Sequence, residues 1–166
     1  MKAAKFVISC LWIAVGVTSA ETTLLPAGGE TTWRYLDGKA VPGEEWTAPG
    51  FDDSEWKKGK APLGYGKDDV ETRILFGDDP GNKPLTAYFR ATFQAPPKGE
   101  NEFTKLGLMV SYDDGVSVYL NGEEVARGNL EEGPLTPESA AIRAVRESGE
   151  LVTTIPTDSL KYGAVN

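Results

Sequence analysis

The 166-residue chain contains no histidine and a single cysteine, Cys10. Without imidazole there is no Ser-His-Asp triad, no Cys-His pair, no neutral-pH proton shuttle and no histidine-ligated zinc. Cys10 lies in a segment expected to be removed, which would leave the rest without thiols or disulfides. Basic charge is also scarce: 17 Lys and Arg stand against 25 Asp and Glu, a formal net charge of −8. The densest basic stretch is Lys57-Lys58-Gly59-Lys60, poor support for binding a phosphate backbone, so nucleic acid is not expected as a partner. Carboxylates, hydroxyls, Tyr, Lys and Arg remain for any chemistry. The length fits one domain able to bury a core without staples.

The only extended apolar run is near the start. Lys2 and Lys5 precede an apolar stretch from Phe6 to Val17, and the small residues Thr18-Ser19-Ala20 precede Glu21. This is the layout of a secretory signal peptide over residues 1–20, too short for a comfortable membrane span. The competing readings are a buried N-terminal helix and a lipid attached at Cys10 in Val7-Ile8-Ser9-Cys10; the apolar run continuing past Cys10 disfavours the lipid. Cleavage would leave residues 21–166 as one domain that is secreted, periplasmic or at the cell surface, with no membrane partner.

Glycine and proline punctuate the rest of the chain instead of clustering as a linker. Between them lie short segments rich in β-branched and aromatic residues: Trp33 to Leu36, Thr72 to Phe76, Leu85 to Phe93, Lys105 to Tyr112, Val116 to Leu120, Glu124 to Arg127 and Leu151 to Ile155. Period-two alternation puts Phe89 and Phe93 on one face with Tyr88 and Arg90 opposite, and groups Val116, Val118 and Leu120. Asn121-Gly122 is the strongest hairpin signal, because a two-residue type I′ turn needs positive φ twice. The one expected helix runs from Pro137 to Arg146, with Pro137 near its first position and Glu138 in the first turn. The pattern predicts an all-β chain, an antiparallel sandwich or jelly roll.

Several motifs then occur in order: Trp33-Arg34-Tyr35, Phe51-Asp52-Asp53-Ser54-Glu55-Trp56, Ala61-Pro62-Leu63-Gly64-Tyr65-Gly66, Tyr88-Phe89-Arg90-Ala91-Thr92-Phe93, and Asp113-Asp114-Gly115 running into Val116 to Arg127. Together they resemble the galactose-binding-like β-jelly-roll module. That module is found as the sugar-binding domain of β-galactosidase and β-glucuronidase glycoside hydrolases. It is also an accessory module of secreted bacterial multidomain proteins, including metallophosphoesterases. The resemblance spans about Leu24 to Ala141. It implies a fold more than an activity, since such modules bind glycans in some proteins and pack against a catalytic domain in others. It also implies a further strand after the turn at Leu160 to Ala164, so the domain is expected to be C-terminally truncated, with its last strand missing.

The expected function is therefore an exported, non-catalytic carbohydrate-binding or accessory module, whose partner is a glycan or an adjoining catalytic domain. The alternative is the N-terminal fragment of a secreted metallophosphoesterase or glycoside hydrolase whose catalytic domain lies beyond residue 166; a surface adhesion module is a third reading. The candidate ligand-binding residues are Trp46, Arg90, Asp114, Tyr119, Asn121 and Arg127, an aromatic face plus hydrogen-bonding groups. Trp33 and Trp56 are expected to pack in or beside the core, and Arg90 to take part in a cross-strand ion pair. The stretch from Asp113 to Arg127 is also readable as structure, a bulge at Asp113-Asp114-Gly115 followed by a turn that fixes register. No catalytic residue is expected. Hard oxygen ligands at Asp52, Asp53 and Asp113 are the candidates for a structural calcium ion, with solvated turn acids as the plainer reading of every acidic pair. No other cofactor is expected.

Overall fold

The computed structural model describes residues 7–8, 11–17, 20–66, 69–77, 79, 81–99 and 102–166, with side-chain burial from residue 22 onward. The chain is all-β: among the described residues the only helical pieces are two single 3-10 turns, Gly28–Glu30 and Thr157–Ser159. The strands are β1 (Val7–Ile8), β2 (Leu11–Val17), β3 (Ala20–Leu25), β4 (Thr32–Leu36), β5 (Lys57–Lys60), β6 (Leu63–Gly64), β7 (Thr72–Arg73), β8 (Tyr88–Arg90), β9 (Leu106–Tyr112), β10 (Val116–Leu120), β11 (Glu123–Gly128) and β12 (Gly149–Ile155). They form four small sheets, ordered β12-β9-β2-β3, β5-β4-β8, β10-β11 and β1-β6-β7. Every pairing is antiparallel except β6 with β7.

Alternation explains the central strands. In β9, Leu106, Leu108 and Val110 are at most 1% exposed while the intervening residues reach the surface, the signature of a strand with one buried face. Its neighbour β12 turns Glu150, Val152 and Thr154 outward, as an edge strand does. In β4 the inward residues are Trp33 and Tyr35. These side chains join Leu25, Leu63, Ile74, Phe93, Leu120 and Ile155 in one core drawn from all four sheets. Each fully buried Leu or Val there contributes about 1.5–3 kcal/mol through the apolar surface it removes from water.

The hairpin forms at its expected place. Asn121 and Gly122 have φ of 53° and 95°, and the pairing Leu120 with Glu123 closes a two-residue loop. The register shift falls between Val118 and Tyr119, within β10, and not at Asp113-Asp114-Gly115, which instead bends the chain from β9 into β10.

The expected helix from Pro137 to Arg146 is absent. Residues 136–139 form a tight turn, with Ser139 N donating to Thr136 O (3.0 Å) and Ser139 Oγ accepting from Thr136 N (2.8 Å). Beyond it, Ile142 N donates to Asn129 O (3.0 Å), Asn129 Nδ2 to Arg143 O (2.7 Å) and Val145 N to Asp114 Oδ1 (2.6 Å). Distant partners thus satisfy the backbone groups that a helix would have paired locally.

Part of the expected leader is described as backbone: β2 lies between β9 and β3, and β1 pairs with β6. Cys10 and the small residues Thr18 and Ser19 before the expected cleavage point lie outside the described residues, as do Asp68 and Asp78 of two acidic pairs. Among the described residues no helix is long and apolar enough to cross a membrane.

Candidate ligand-binding cleft

Alternation in β10 sends Val118 and Leu120 toward the core and Ser117 and Tyr119 to the opposite face. That second face borders a cleft of about 440 Å³. Its other walls are the loop carrying Trp46, the start of β8 at Tyr88, Tyr112 at the end of β9, and the loop around Leu135 and Pro137. The Trp46 ring meets Tyr88 edge-on at 5.2 Å and Tyr119 at 5.6 Å, and lies 6.5 Å from Trp56 at an interplanar angle of 26°. Half-buried Trp46 and Tyr119 therefore present aromatic surface over a buried Tyr88.

Arg90 holds this wall in place. Its Nε donates to Asp53 Oδ2 (2.9 Å), Nη1 to Trp46 O and Nη2 to Ala48 O (3.3 Å), so all three nitrogens serve the protein. The guanidinium also lies over the Phe51 ring, 5.2 Å from its centre. Directly across the sheet Arg90 faces Arg34, a like-charge pairing that would be unfavourable alone. Asp53 offsets it by approaching both, with Arg34 Nε at 3.6 Å from Oδ1. The ion pair of Arg90 is thus made with a loop carboxylate and not with its cross-strand neighbour.

Tyr112 is positioned by two glycines. A Cβ on Gly128 would stand 3.0 Å from the Tyr112 hydroxyl, and one on Gly149 only 2.6 Å from the ring, so the ring lies over bare backbone of β11 and β12. On the opposite wall, Thr86 Oγ1 donates to Pro137 O (2.8 Å), tying the 134–139 loop to the approach to β8. Burial, followed by the carboxylate of Glu138, raises the Tyr88 pKa. Among the described residues of the lining, Glu44 and Asp113 are the acids and none is Lys or Arg.

The remaining candidates are dispersed. Asp114 is buried behind the cleft, its carboxylate accepting from Val145 N and its carbonyl from Asn129 Nδ2 (2.8 Å). Arg127 pairs with Glu124 through Nε (2.5 Å) and Nη2 (2.6 Å) and donates to the carbonyls of Glu131 and Gly133, bracing the hairpin against the next loop. That pairing, with lesser help from the Ser117 and Tyr119 hydroxyls, holds the Glu124 pKa below its ordinary value. Asn121 Nδ2 donates to Ser159 O and Asn166 Oδ1, both at 2.8 Å, on the other side of β10. Of the six residues singled out from the sequence, Trp46 and Tyr119 meet in the cleft; Arg90 supports it from outside.

Among the described residues no group of three or more Asp or Glu is gathered closely enough to hold a metal ion. Asp52 Oδ1 accepts from Ser54 N (3.0 Å), a turn contact that with the Ser54 hydroxyl lowers its pKa. Asp53 is committed to the two arginines, and Asp113 lies on the cleft. Trp33 and Trp56 are buried.

Compared with known protein families, curated proteins and solved structures, the chain matches none. The cleft is therefore interpreted from its own chemistry. The sequence reading passed over Tyr88 and Tyr112. Tyr88 carried a usable signal, the aromatic member of the β8 face opposite Phe89, whereas the glycines that frame Tyr112 are separated from it in sequence by 16 and 37 residues.

Proposed function

We propose that this chain is an exported, non-catalytic β-sandwich module of the galactose-binding-like jelly-roll kind, and that it binds a neutral carbohydrate in the cleft beside Trp46. The carrying observation is the aromatic lining: Trp46, Tyr88, Tyr112 and Tyr119 converge on one concavity large enough for one or two sugar rings. Aromatic faces suit the apolar faces of pyranoses. The acids Glu44 and Asp113 accept from sugar hydroxyls, and the lack of a lining cation disfavours sulfated, phosphorylated or uronic ligands. For the fold, the support is the order of the motifs and a single core shared by all four small sheets.

A glycan array tests the reading, run with the exported protein and with Trp46→Ala. The expected result is binding to neutral polysaccharides that is lost in the variant and weak toward anionic ones. Binding to no glycan at all would replace this role with packing against an adjoining catalytic domain. Export is tested separately by N-terminal sequencing, with Glu21 expected first. That cleavage removes β2 and leaves β9 paired with β12.

A further inference from the structure

The two concavities bordering β10 differ in how their charges are balanced. A groove of about 420 Å³ on the core side of the strand has an apolar floor of Trp33, Leu108, Val110 and Ile155. The acid of its described lining, Asp53, is paired with the cation of that lining, Arg90, at 2.9 Å. The cleft carries acid without that compensation. Glu44 comes from the loop of Trp46 and Asp113 from the bend between β9 and β10, and among the described lining residues none is Lys or Arg. Glu138, on the loop that forms the opposite wall, adds a third carboxylate close enough to act on the Tyr88 phenol. Three separate elements thus bring negative charge to one concavity. Asp113 is only 3% exposed, so less water screens its charge than screens a surface acid.

The rings of the cleft are set to meet a cation. Trp46 stands at 74° to Tyr88 and at 69° to Tyr119. A pyranose needs one flat ring face, whereas rings near right angles form corners in which a compact cation touches more than one negative π face. An ammonium group seated there also donates to carboxylates, and such charge-assisted hydrogen bonds are roughly twice as strong as neutral ones.

We propose that the cleft selects sugars bearing a free ammonium group, that is, amino sugars whose nitrogen is not acylated. This preference presupposes that the cleft binds carbohydrate: neutral sugars enter it, and their amino counterparts bind more tightly. The pyranose lies on aromatic surface while the ammonium, in the corner beside Trp46, answers the charge of Glu44 and Asp113. N-acetylation removes that charge and leaves one N–H donor where the ammonium had three.

Calorimetric titration is the test, at about pH 6, where such amines are charged. Oligosaccharides of glucosamine and of galactosamine are each compared with the N-acetylated form and with the parent hexose form. In at least one series the amine is expected to bind about 10-fold tighter than either counterpart. A double variant, Glu44→Gln with Glu138→Gln, changes two exposed residues and leaves the core untouched. In it the ratio of amine to hexose affinity is expected to fall about threefold or more. Equal affinity for amine and hexose in both series overturns the ammonium preference and leaves carbohydrate binding standing. A ratio unchanged by the double variant overturns it too, because the selectivity then does not come from these carboxylates. Binding of no sugar in either series removes the carbohydrate reading itself, and this preference with it.

Discussion

One strand, β10, separates two concavities of nearly equal size and opposite character. The cleft touches its outward face and is aromatic, with carboxylates and hydroxyls from loops. The groove runs along its edge and has an apolar floor with backbone walls. Volume alone would rank them alike. The difference lies in the lining: the cleft offers the ring faces of Trp46, Tyr88, Tyr112 and Tyr119, whereas the groove offers an apolar floor of Trp33, Leu108, Val110 and Ile155. The first suits a small ligand that brings its own hydroxyls. The second is an apolar hollow against the core.

Substitutions at Leu108 and Arg90, which border the groove, and at Trp46, which lines both concavities, can break this distinction. The largest effect is expected from Leu108→Ala, beneath the groove and remote from the cleft lining. It should lower stability in denaturant by about 2–5 kcal/mol while leaving glycan affinity unchanged in the folded fraction. Next is Arg90→Lys, which replaces a three-way fork by a point charge. A loss of about 1–3 kcal/mol is expected, with weaker glycan binding, because the Trp46 wall hangs on that side chain. Equal binding after this change would show that the wall stands without its clamp.

Trp46→Ala is expected to cost glycan affinity about tenfold or more, with a smaller effect on stability than Leu108→Ala. A loss of stability matching that of Leu108→Ala would make Trp46 a core residue, and the cleft a packing defect. Two smaller effects concern pH. Tyr65, raised to about 12 by burial and then by the carboxylates of Asp113 and Asp114, should ionise well above the ordinary tyrosine range in an ultraviolet titration read against Tyr65→Phe. Because its folded pKa is the higher one, its contribution is complete below the ordinary value of 10.0 and is lost as pH rises toward 12. Glu124 has the opposite sign: its pKa is lowered, so its contribution is present above the ordinary value of 4.5 and fades as pH falls further. Glu124→Gln should flatten the acid limb of the melting-temperature profile slightly and leave the alkaline limb alone.

Much of the strand pattern was legible in the residues. Lys105 to Tyr112 is rich in strand-forming apolar residues, and Asn121-Gly122 names its own turn, because both signals depend on interactions within a few residues. The segment from Pro137 to Arg146 was misleading for the converse reason. Its helical cues are local, but Asn129 and Asp114 claim its backbone from a distance. Among the site residues, Arg127 and Asp114 have the right chemistry for a ligand, yet Glu124, three residues away, engages the first and the distant backbone of Val145 the second. Nothing in a one-dimensional pattern records which hydrogen-bonding groups are still available.

The sequence by itself determined that the chain is a β scaffold rich in turns and without histidine chemistry, since composition and short-range periodicity decide those properties. Only the tertiary structure decided that Trp46 and Tyr119 share a cleft with Tyr88 and Tyr112, while Asn121 stands on a groove on the other side of β10. The physical reason is that a strand's two faces follow from alternation, but whether its edge is paired depends on residues far away in the chain.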